Sequence, residues 1–311
     1  MVFSIDKKEL SFIKEIPFDS EKELQSLCEK NLNLLLGIEF VATEFTVSNL
    51  RLDTVAFDEQ TNSFVIIEYK NTKNSSVIDQ GYSYLSTMLN HKADFVLEYN
   101  QVSDKRLKKE DIDWSQSRVI FISPSFTKFQ MNSINFKDLP IELYKIKKYS
   151  NNTIIFENIK PIGATAEIKD IAPTLESLSE KNDSYETVKT ATKVYSEDEL
   201  LSVATNEIHD IYSSLREFIS ELDDAITIRA TKLYVAFSYN RHVMFSIKIQ
   251  KKSLVMWINS PFTAISDPKG VIKDVSNIGH HGTGSCEIKI ENNDNIGYIQ
   301  DIIRNFYEKQ K

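Results

Sequence analysis

The stretch RLDTVAFDEQTNSFVIIEYK, residues 51–70, decides the fold of the first half of this chain. Its two apolar runs are typical of strands, and the polar segment 59–62 between them predicts a hairpin turn. The second run ends in Glu68 and Lys70, which share one face of the strand because side chains alternate with a period of two. Asp53 lies near the start of the partner strand, so the hairpin would bring three charged side chains together.

These three side chains suggest chemistry at the end of the hairpin. Two carboxylates and an ammonium group beside a buried strand are costly unless they serve each other or an ion. Carboxylate oxygens are the ligands that magnesium prefers, and such an ion can activate water and stabilise charge on a phosphate. The set therefore suits phosphodiester hydrolysis. The alternative is a structural ion pair between Asp53 and Lys70 with Glu68 in solvent, because charged strand ends are common.

Residues on both sides of the hairpin extend this set. Gln80 and Tyr84 lie four residues apart and therefore project from one face of the next predicted helix. Upstream, Ser20 is a suitable N-cap for a helix whose first turn contains Glu21 and Glu23. These two acids differ by about 200° around the helix, so only one of them can face the hairpin. Of the two, Glu21 is the preferred candidate for the acid that faces the hairpin.

The pattern of elements predicts two domains of mixed α/β class. Residues 1–160 order as helix, hairpin, helix, strand, helix and strand, followed by a closing hairpin, with DFVLEY predicted as a strand and KRLKKEDIDW as a helix. Residues 161–194 are rich in Ser, Thr, Glu, Lys and Ala, which is typical of a linker. Residues 195–311 open with a long helix capped by Ser196 and continue as a smaller α+β domain.

Composition limits the classes of function. The 311 residues carry a formal net charge of −8, which argues against binding polyanions over the whole surface but fits carboxylates that hold a metal. The two cysteines are too few and too far apart for a disulfide framework or a zinc site. The sequence shows no secretory leader and no apolar run long enough to cross a membrane, so we expect a cytoplasmic protein without a membrane partner.

The ordered set resembles a known group of nucleases. Glu21, Asp53, Glu68-Tyr69-Lys70, Gln80 and Tyr84 together resemble the PD-(D/E)xK superfamily and its RecB-like branches, which carry a Q-x-x-x-Y helix. The runs EKELQSLCEKNLNLLLG, RLDTVAFDE, VIIEYK and IDQGYSYL also resemble a bacterial family described as predicted transport proteins, whose N-terminal part is nuclease-like. The C-terminal part of that family, of unknown function, resembles the runs KLYVAFSY and DPKGVIKDVSNIGHHGTGSCEIKI and the last predicted helix here.

The resemblance implies a restriction-endonuclease-like N-terminal domain and a metal-dependent nuclease that acts on nucleic acid, with DNA expected. It implies that Asp53, Glu68 and Glu21 are ligands of magnesium or manganese and that Lys70 is the catalytic lysine. Gln80 and Tyr84 would shape the site. A homodimer is also open, since such nucleases often pair. Two alternatives remain: a non-cleaving nucleic-acid-binding module, or a protein-interaction module built on the same fold.

Two other segments are candidate sites. The hairpin from Tyr144 to Tyr149 is basic and aromatic and would suit a phosphate backbone, although a solvated hairpin has the same composition. His280 and His281 lie in the glycine-rich segment GHHGTG, which suits either a metal or phosphate site or a loop that needs unusual backbone dihedrals.

Overall fold

The computed structural model of this chain describes residues 1–71, 77–134, 139–160, 188 and 191–311. It divides into two compact units, residues 1–194 and residues 195–311. Both units combine helices with a β-sheet, which confirms the mixed α/β class expected from the sequence. Most of the predicted linker, residues 161–194, lies outside the described residues.

The first unit contains nine strands and five helices among its described residues. The strands are β1 Val2–Asp6, β2 Glu9–Ile13, β3 Glu15–Ile16, β4 Glu39–Val47, β5 Leu50–Asp58, β6 Ser63–Tyr69, β7 Arg118–Ser123, β8 Ile141–Tyr149 and β9 Ile154–Ile159. The helices are α1 Glu21–Glu29, α2 Leu32–Leu36, α3 Val77–Asn90, α4 Lys92–Val102 and α5 Lys128–Ser133.

Seven of these strands form one mixed sheet. Their order is β3-β8-β7-β6-β5-β4, with β9 paired to β8, while β1 and β2 form a separate two-stranded ribbon. Strand β7 runs parallel to both β6 and β8, and the other pairs are antiparallel. The parallel pair β6 and β7 is joined through α3 and α4, as parallel strands require a long crossover.

The predicted hairpin is the centre of this sheet. Strands β5 and β6 pair antiparallel with Thr54 opposite Ile67, and Asn62 adopts a positive φ of 50° in the turn between them. Alternate side chains of β6 enter two cores: Phe64 and Ile66 pack on the side of α3 and α4, and Val65 and Ile67 pack with α1 and α2. Because of this alternation, Glu68 lies on the same face of β6 as Phe64 and Ile66, which is the face that packs against α3.

Two predicted elements of the first unit are wrong. The run DFVLEY is part of helix α4, because Phe95, Val96 and Tyr99 repeat at helical spacing and are buried on one side. The segment KRLKKEDIDW is not an α-helix, apart from a short 3₁₀ turn at Trp114–Gln116 that begins at its last residue. Its many charged residues leave no apolar stripe to bury, and the Arg106 guanidinium binds the carbonyl oxygens of Asn100 and Ser103 at the end of α4.

The predicted first helix begins where expected. The Glu23 amide donates to Ser20 Oγ at 3.0 Å, which confirms the N-cap. The helix is interrupted, however: α1 ends at Glu29, and the chain resumes as α2 before Gly37 stops it with a left-handed φ of 68°. Glycine tolerates that conformation at no steric cost.

The second unit is a six-stranded antiparallel sheet with three described helices. The helices are α6 Glu197–Leu201, α7 Asn206–Glu221 and α8 Ile296–Glu308, and the strands are β10 Thr227–Ala230, β11 Val235–Tyr239, β12 His242–Gln250, β13 Ser253–Ile258, β14 Lys273–Asp274 and β15 Cys286–Ile290. A 3₁₀ turn lies at Phe262–Ala264. The sheet order is β10-β11-β12-β13-β15-β14. Ser196 forms the predicted cap, but the long predicted helix is divided between α6 and α7.

The core of the second unit lies between its sheet and its helices. Ile211 and Leu215 of α7 and Ile303 of α8 pack against strand residues such as Phe245 and Ile288. Both cysteines of the chain are buried free thiols, in agreement with the sequence. No helix within the described ranges has the length and apolar character needed to cross a bilayer.

Candidate functional site

The end of the β5–β6 hairpin brings together the three side chains predicted from residues 51–70. The Tyr69 amide donates a hydrogen bond to Asp53 Oδ2 at 3.0 Å, which holds the aspartate against the partner strand. Lys70 Nζ donates to Glu68 Oε1 at 2.7 Å. Glu68 is only 4% exposed, so it is not the solvated carboxylate that a simple ion pair between Asp53 and Lys70 would leave.

Helix α3 adds two polar side chains to this cluster. Gln80 Nε2 donates to Glu68 Oε1 at 2.8 Å and lies 2.7 Å from the Tyr84 hydroxyl. Gln80 and Tyr84 thus project toward the same carboxylate, because residues four apart share a helix face. Burial and the negative charge of Glu68 raise the pKa of the Tyr84 phenol, which keeps it a neutral hydroxyl.

Two buried oxygens in the cluster have no hydrogen-bond partner among the described residues: Glu68 Oε2 and Gln80 Oε1. Native structures rarely leave such atoms unsatisfied, because a buried polar atom without a partner costs about 1–3 kcal/mol. Both atoms are hard oxygen donors of the kind that magnesium or manganese binds. The residues therefore fit a divalent cation held by Asp53 and Glu68, with Gln80 beside it.

The carboxyl group of Asp53 is strongly perturbed. Burial raises its pKa most, and the negative charges of Glu68 and Glu21 raise it further. The Tyr69 amide and the Lys70 ammonium act in the opposite direction, and the resulting pKa is about 6. A half-buried carboxylate that resists ionisation beside a second carboxylate is typical of functional sites.

The structure separates the two upstream acids. Glu21 Oε2 accepts a hydrogen bond from the Asn71 amide at 3.0 Å, one residue beyond Lys70. Glu23 points elsewhere, to the Asp19 amide at 2.6 Å and to Lys148 at 2.5 Å. Only Glu21 therefore faces the end of β6. Even so, the described residues contain no group of three His, Cys, Asp or Glu side chains arranged for a metal, so Glu21 is not a third member of the Asp53–Glu68 pair in this geometry.

Gln25 is a residue of this site that the sequence did not identify. It is 4% exposed, and its amide donates to the Asp53 backbone oxygen at 2.9 Å, to Glu29 at 2.9 Å and to Thr43 at 3.1 Å. These bonds attach helix α1 to strand β5 and so fix Glu21 relative to Asp53. One signal was available: Gln25 lies four residues after Glu21, on the same helix face, among apolar neighbours.

The two other candidate segments have structural roles in this geometry. In the basic hairpin, Lys147 pairs with Glu15, Lys148 pairs with Glu23, and Tyr144 stacks on Phe156 with centroids 5.0 Å apart. Much of its positive charge is therefore neutralised within the chain.

In the glycine-rich loop, both ring nitrogens of His280 lie 2.8 Å from loop carbonyl oxygens, those of Ile278 and Gly284. The ring also stacks on Trp257 with centroids 5.8 Å apart. His280 therefore closes the loop on the sheet of the second unit, and this geometry supports the structural interpretation of the loop rather than a metal site.

Comparison with known proteins gives one strong and several weak similarities. Residues 197–310 match the family model described as "Domain of unknown function (DUF5655)". A Haemophilus influenzae protein with the name "Uncharacterized protein" is 44% identical over 303 residues, which cover 97% of this chain and 98% of the relative.

Among solved structures the likeness is low. The structure titled "Structure of EndoMS-dsDNA2 complex" is 17% identical with a TM-score of 0.26, over 40% of this chain and 42% of that one. A repair endonuclease from Pyrococcus abyssi is 18% identical with a TM-score of 0.24, over 42% and 49%. SfsA from Pyrococcus furiosus in complex with Ca²⁺ is 14% identical with a TM-score of 0.23, over 44% and 61%. TM-scores below 0.5 do not establish a common fold.

Proposed function

We propose a metal-dependent nuclease function for this chain, which belongs to the same family as the Haemophilus influenzae protein. The reaction is hydrolysis of phosphodiester bonds in nucleic acid, with DNA as the expected substrate. The observation that carries the proposal is the convergence of Asp53, Glu68 and Lys70 at one hairpin end, with a buried oxygen of Glu68 left unsatisfied.

The geometry favours this function over a structural ion pair. Lys70 pairs with Glu68 rather than with Asp53, and burial together with the negative charge of Glu68 raises the pKa of Asp53 to about 6. A purely structural arrangement would match the two carboxylates with two cations or leave one of them in water. A divalent cation would neutralise the negative charge of Asp53 and would also bind the unsatisfied oxygen of Glu68.

In the proposed site, Asp53 and Glu68 would hold the metal ion, and Glu21 would lie nearby without binding it in this geometry. The ion would polarise the scissile phosphate and lower the pKa of the attacking water. Lys70 Nζ, already held by Glu68, is placed to donate a hydrogen bond to a phosphate oxygen or to orient the water. Gln80 restricts the orientation of the Glu68 carboxylate through its hydrogen bond to Oε1, and the Tyr84 hydroxyl in turn positions the Gln80 amide.

The first experiment tests for the metal and does not depend on knowing the substrate. Manganese binding is measured by calorimetry for the wild type, for Asp53→Ala and for Glu68→Ala, with Glu23→Ala as a control that removes a carboxylate directed away from the site. We expect binding in the wild type and in the control and its loss in the other two variants. Equal binding by all four proteins would contradict the proposed ligand set.

The second experiment tests cleavage. Single-stranded, duplex and branched DNA and RNA are incubated with magnesium or manganese and the wild type, Lys70→Ala or Lys147→Ala, the last as a matched lysine from the same sheet. Removal of a group that acts only in the transition state lowers the rate about 10²- to 10⁴-fold. We expect that loss for Lys70→Ala and no loss for Lys147→Ala. Cleavage that Lys70→Ala does not affect would refute the role of the lysine.

A second candidate function is a non-cleaving nucleic-acid-binding module. It is favoured by the absence, in the described part of the chain, of a three-residue metal cluster, and by the closed Lys70–Glu68 pair. Under this alternative the protein shifts nucleic acid in a salt-dependent manner and yields no products with either metal.

A further inference from the structure

The ribbon β1–β2 carries an apolar face that is exposed among the described residues of the first unit. Four large side chains, Phe3, Ile5, Leu10 and Phe12, are 45%, 72%, 66% and 59% exposed. They form two cross-strand pairs, Phe3 opposite Phe12 and Ile5 opposite Leu10, so all four lie on one face. The two phenyl rings make an edge-to-face contact with centroids 5.8 Å apart.

The other face of the ribbon is polar near the turn and apolar at its far end, where Val2 is opposite Ile13 and Ile13 is buried. Ser4 is opposite Ser11, and Asp6 is opposite Glu9, close to the turn. The ribbon is a sheet of only two strands, and it leads directly into β3 at the edge of the large sheet. A two-stranded ribbon is marginally stable in water, and an exposed apolar strand pair promotes non-specific association unless something covers it. Isolated exposed apolar residues are normal, but a contiguous set on one face marks an interaction surface.

We propose that this face is the interface of a homodimer, in which the ribbons of two copies pack with their apolar faces together. An isologous contact requires a surface that is complementary to itself. The four apolar side chains meet this condition. The charges at the turn are also compatible with a self-complementary surface, because Asp6 and Glu9 balance Lys7 and Lys8. The ribbon is therefore locally neutral, although the whole chain carries a net charge of −8. Two copies therefore approach with little repulsion at the ribbon.

Other kinds of partner fit this face less well. A nucleic acid or an anionic lipid surface would need a net positive charge around the apolar side chains, and the turn supplies none, because Asp6 and Glu9 match Lys7 and Lys8. A second copy has no such conflict.

The exposed area is of the right order for a dimer contact. The four side chains expose roughly 450 Å² per copy, taking about 200 Å² for a fully exposed Phe and slightly less for Ile or Leu. Each partner in a standard interface buries about 800 Å². The apolar face alone thus supplies about half of that area, and the main chain and turn of the ribbon add to it.

The test is the mass of the full chain in solution, measured by light scattering after size exclusion across the micromolar range. The variant Ile5→Lys/Leu10→Lys places charges in the centre of the face, and Leu97→Lys is the control, since Leu97 is 60% exposed on helix α4. We expect a dimer for the wild type and for Leu97→Lys and a monomer for the double variant, with the same far-UV circular dichroism spectrum for all three. A monomeric wild type, or a dimer that the double variant leaves intact, would overturn the proposal.

A cross-linking experiment locates the contact without relying on disruption. Both native cysteines are buried, so Leu10→Cys supplies a single accessible thiol on the ribbon. We expect a disulfide-linked dimer under mild oxidation with Leu10→Cys and none with Leu97→Cys. Equal cross-linking by both variants, or none by either, would contradict the ribbon interface. Neither experiment depends on nuclease activity, so failure of one proposal leaves the other untouched.

Discussion

Replacing Asp53 by Asn should make the metal-free protein more stable at neutral pH. Burial and neighbouring carboxylates raise the pKa of Asp53 from 3.8 to about 6, which means that the folded protein holds its ionised form at a cost. At about 1.4 kcal/mol per pH unit, the full difference corresponds to about 3 kcal/mol. The carboxyl group is half-buried, and solvent screening reduces the expected gain to about 1–2 kcal/mol. Asn keeps an oxygen that can accept the Tyr69 amide hydrogen bond.

The sign of the pH dependence follows from the same pKa. Between pH 3.8 and about 6 the folded protein keeps a proton that the unfolded chain has released, so the contribution of Asp53 to stability is lost as pH rises through that range. Below it both states are protonated, and the wild type and Asp53→Asn should be equally stable. The difference between them should therefore appear between about pH 4 and pH 6 and remain constant above.

The assay is urea unfolding of both proteins in a chelating buffer at a series of pH values. Asp104→Asn, in an exposed loop, is the control and should stay within about 0.5 kcal/mol of the wild type. Addition of magnesium should then stabilise the wild type and the control but not Asp53→Asn, because a ligand stabilises only the state that binds it. If Asp53→Asn were no more stable than the wild type at pH 7 without metal, the electrostatic argument for the site would be wrong.

Three further substitutions each test an interaction inside one of the units. Urea unfolding measures the change in stability in every case. Arg118→Met should destabilise the first unit by about 3–5 kcal/mol, because it leaves Asp58 as a buried charge without the guanidinium 2.9 Å away; a loss below 1 kcal/mol would contradict this. Gln25→Leu should cost about 1–3 kcal/mol, because the backbone oxygen of Asp53 and two side-chain acceptors lose a buried donor; an unchanged midpoint would show that α1 is held by apolar packing alone. Gly284→Ala should cost at least about 2 kcal/mol, because its φ is +93° and a Cβ there would lie 2.0 Å from a backbone oxygen of β13; a tolerated alanine would mean that the loop can move away.

The sequence alone predicted the local features around the site. The alternation of residues 63–70, the polar turn before them and the N-caps at Ser20 and Ser196 all depend on interactions within a few residues. The spacing of Gln80 and Tyr84 likewise fixed their common helix face before any contact was known.

Other features required the folded chain. The run DFVLEY has the length and composition of a strand, and the helical spacing of Phe95, Val96 and Tyr99 decides its structure because these three residues are buried together in the core. The interaction of Glu21 with Asn71 spans 50 residues, and that of Gln25 with Asp53 spans 28. The apolar ribbon was not evident from the sequence either, because whether Ile5 or Leu10 is covered depends on the position of every other element.

The sequence by itself therefore determined which chemical groups stand at the end of the β5–β6 hairpin, because strand alternation and hairpin pairing are short-range rules. Only the tertiary structure decided that Glu68 is buried with one oxygen unsatisfied, and that Glu21 rather than Glu23 is bonded to the main chain at the end of β6. Burial and hydrogen-bond satisfaction depend on contacts between segments distant along the chain, and the large perturbation of the Asp53 pKa arises from those contacts.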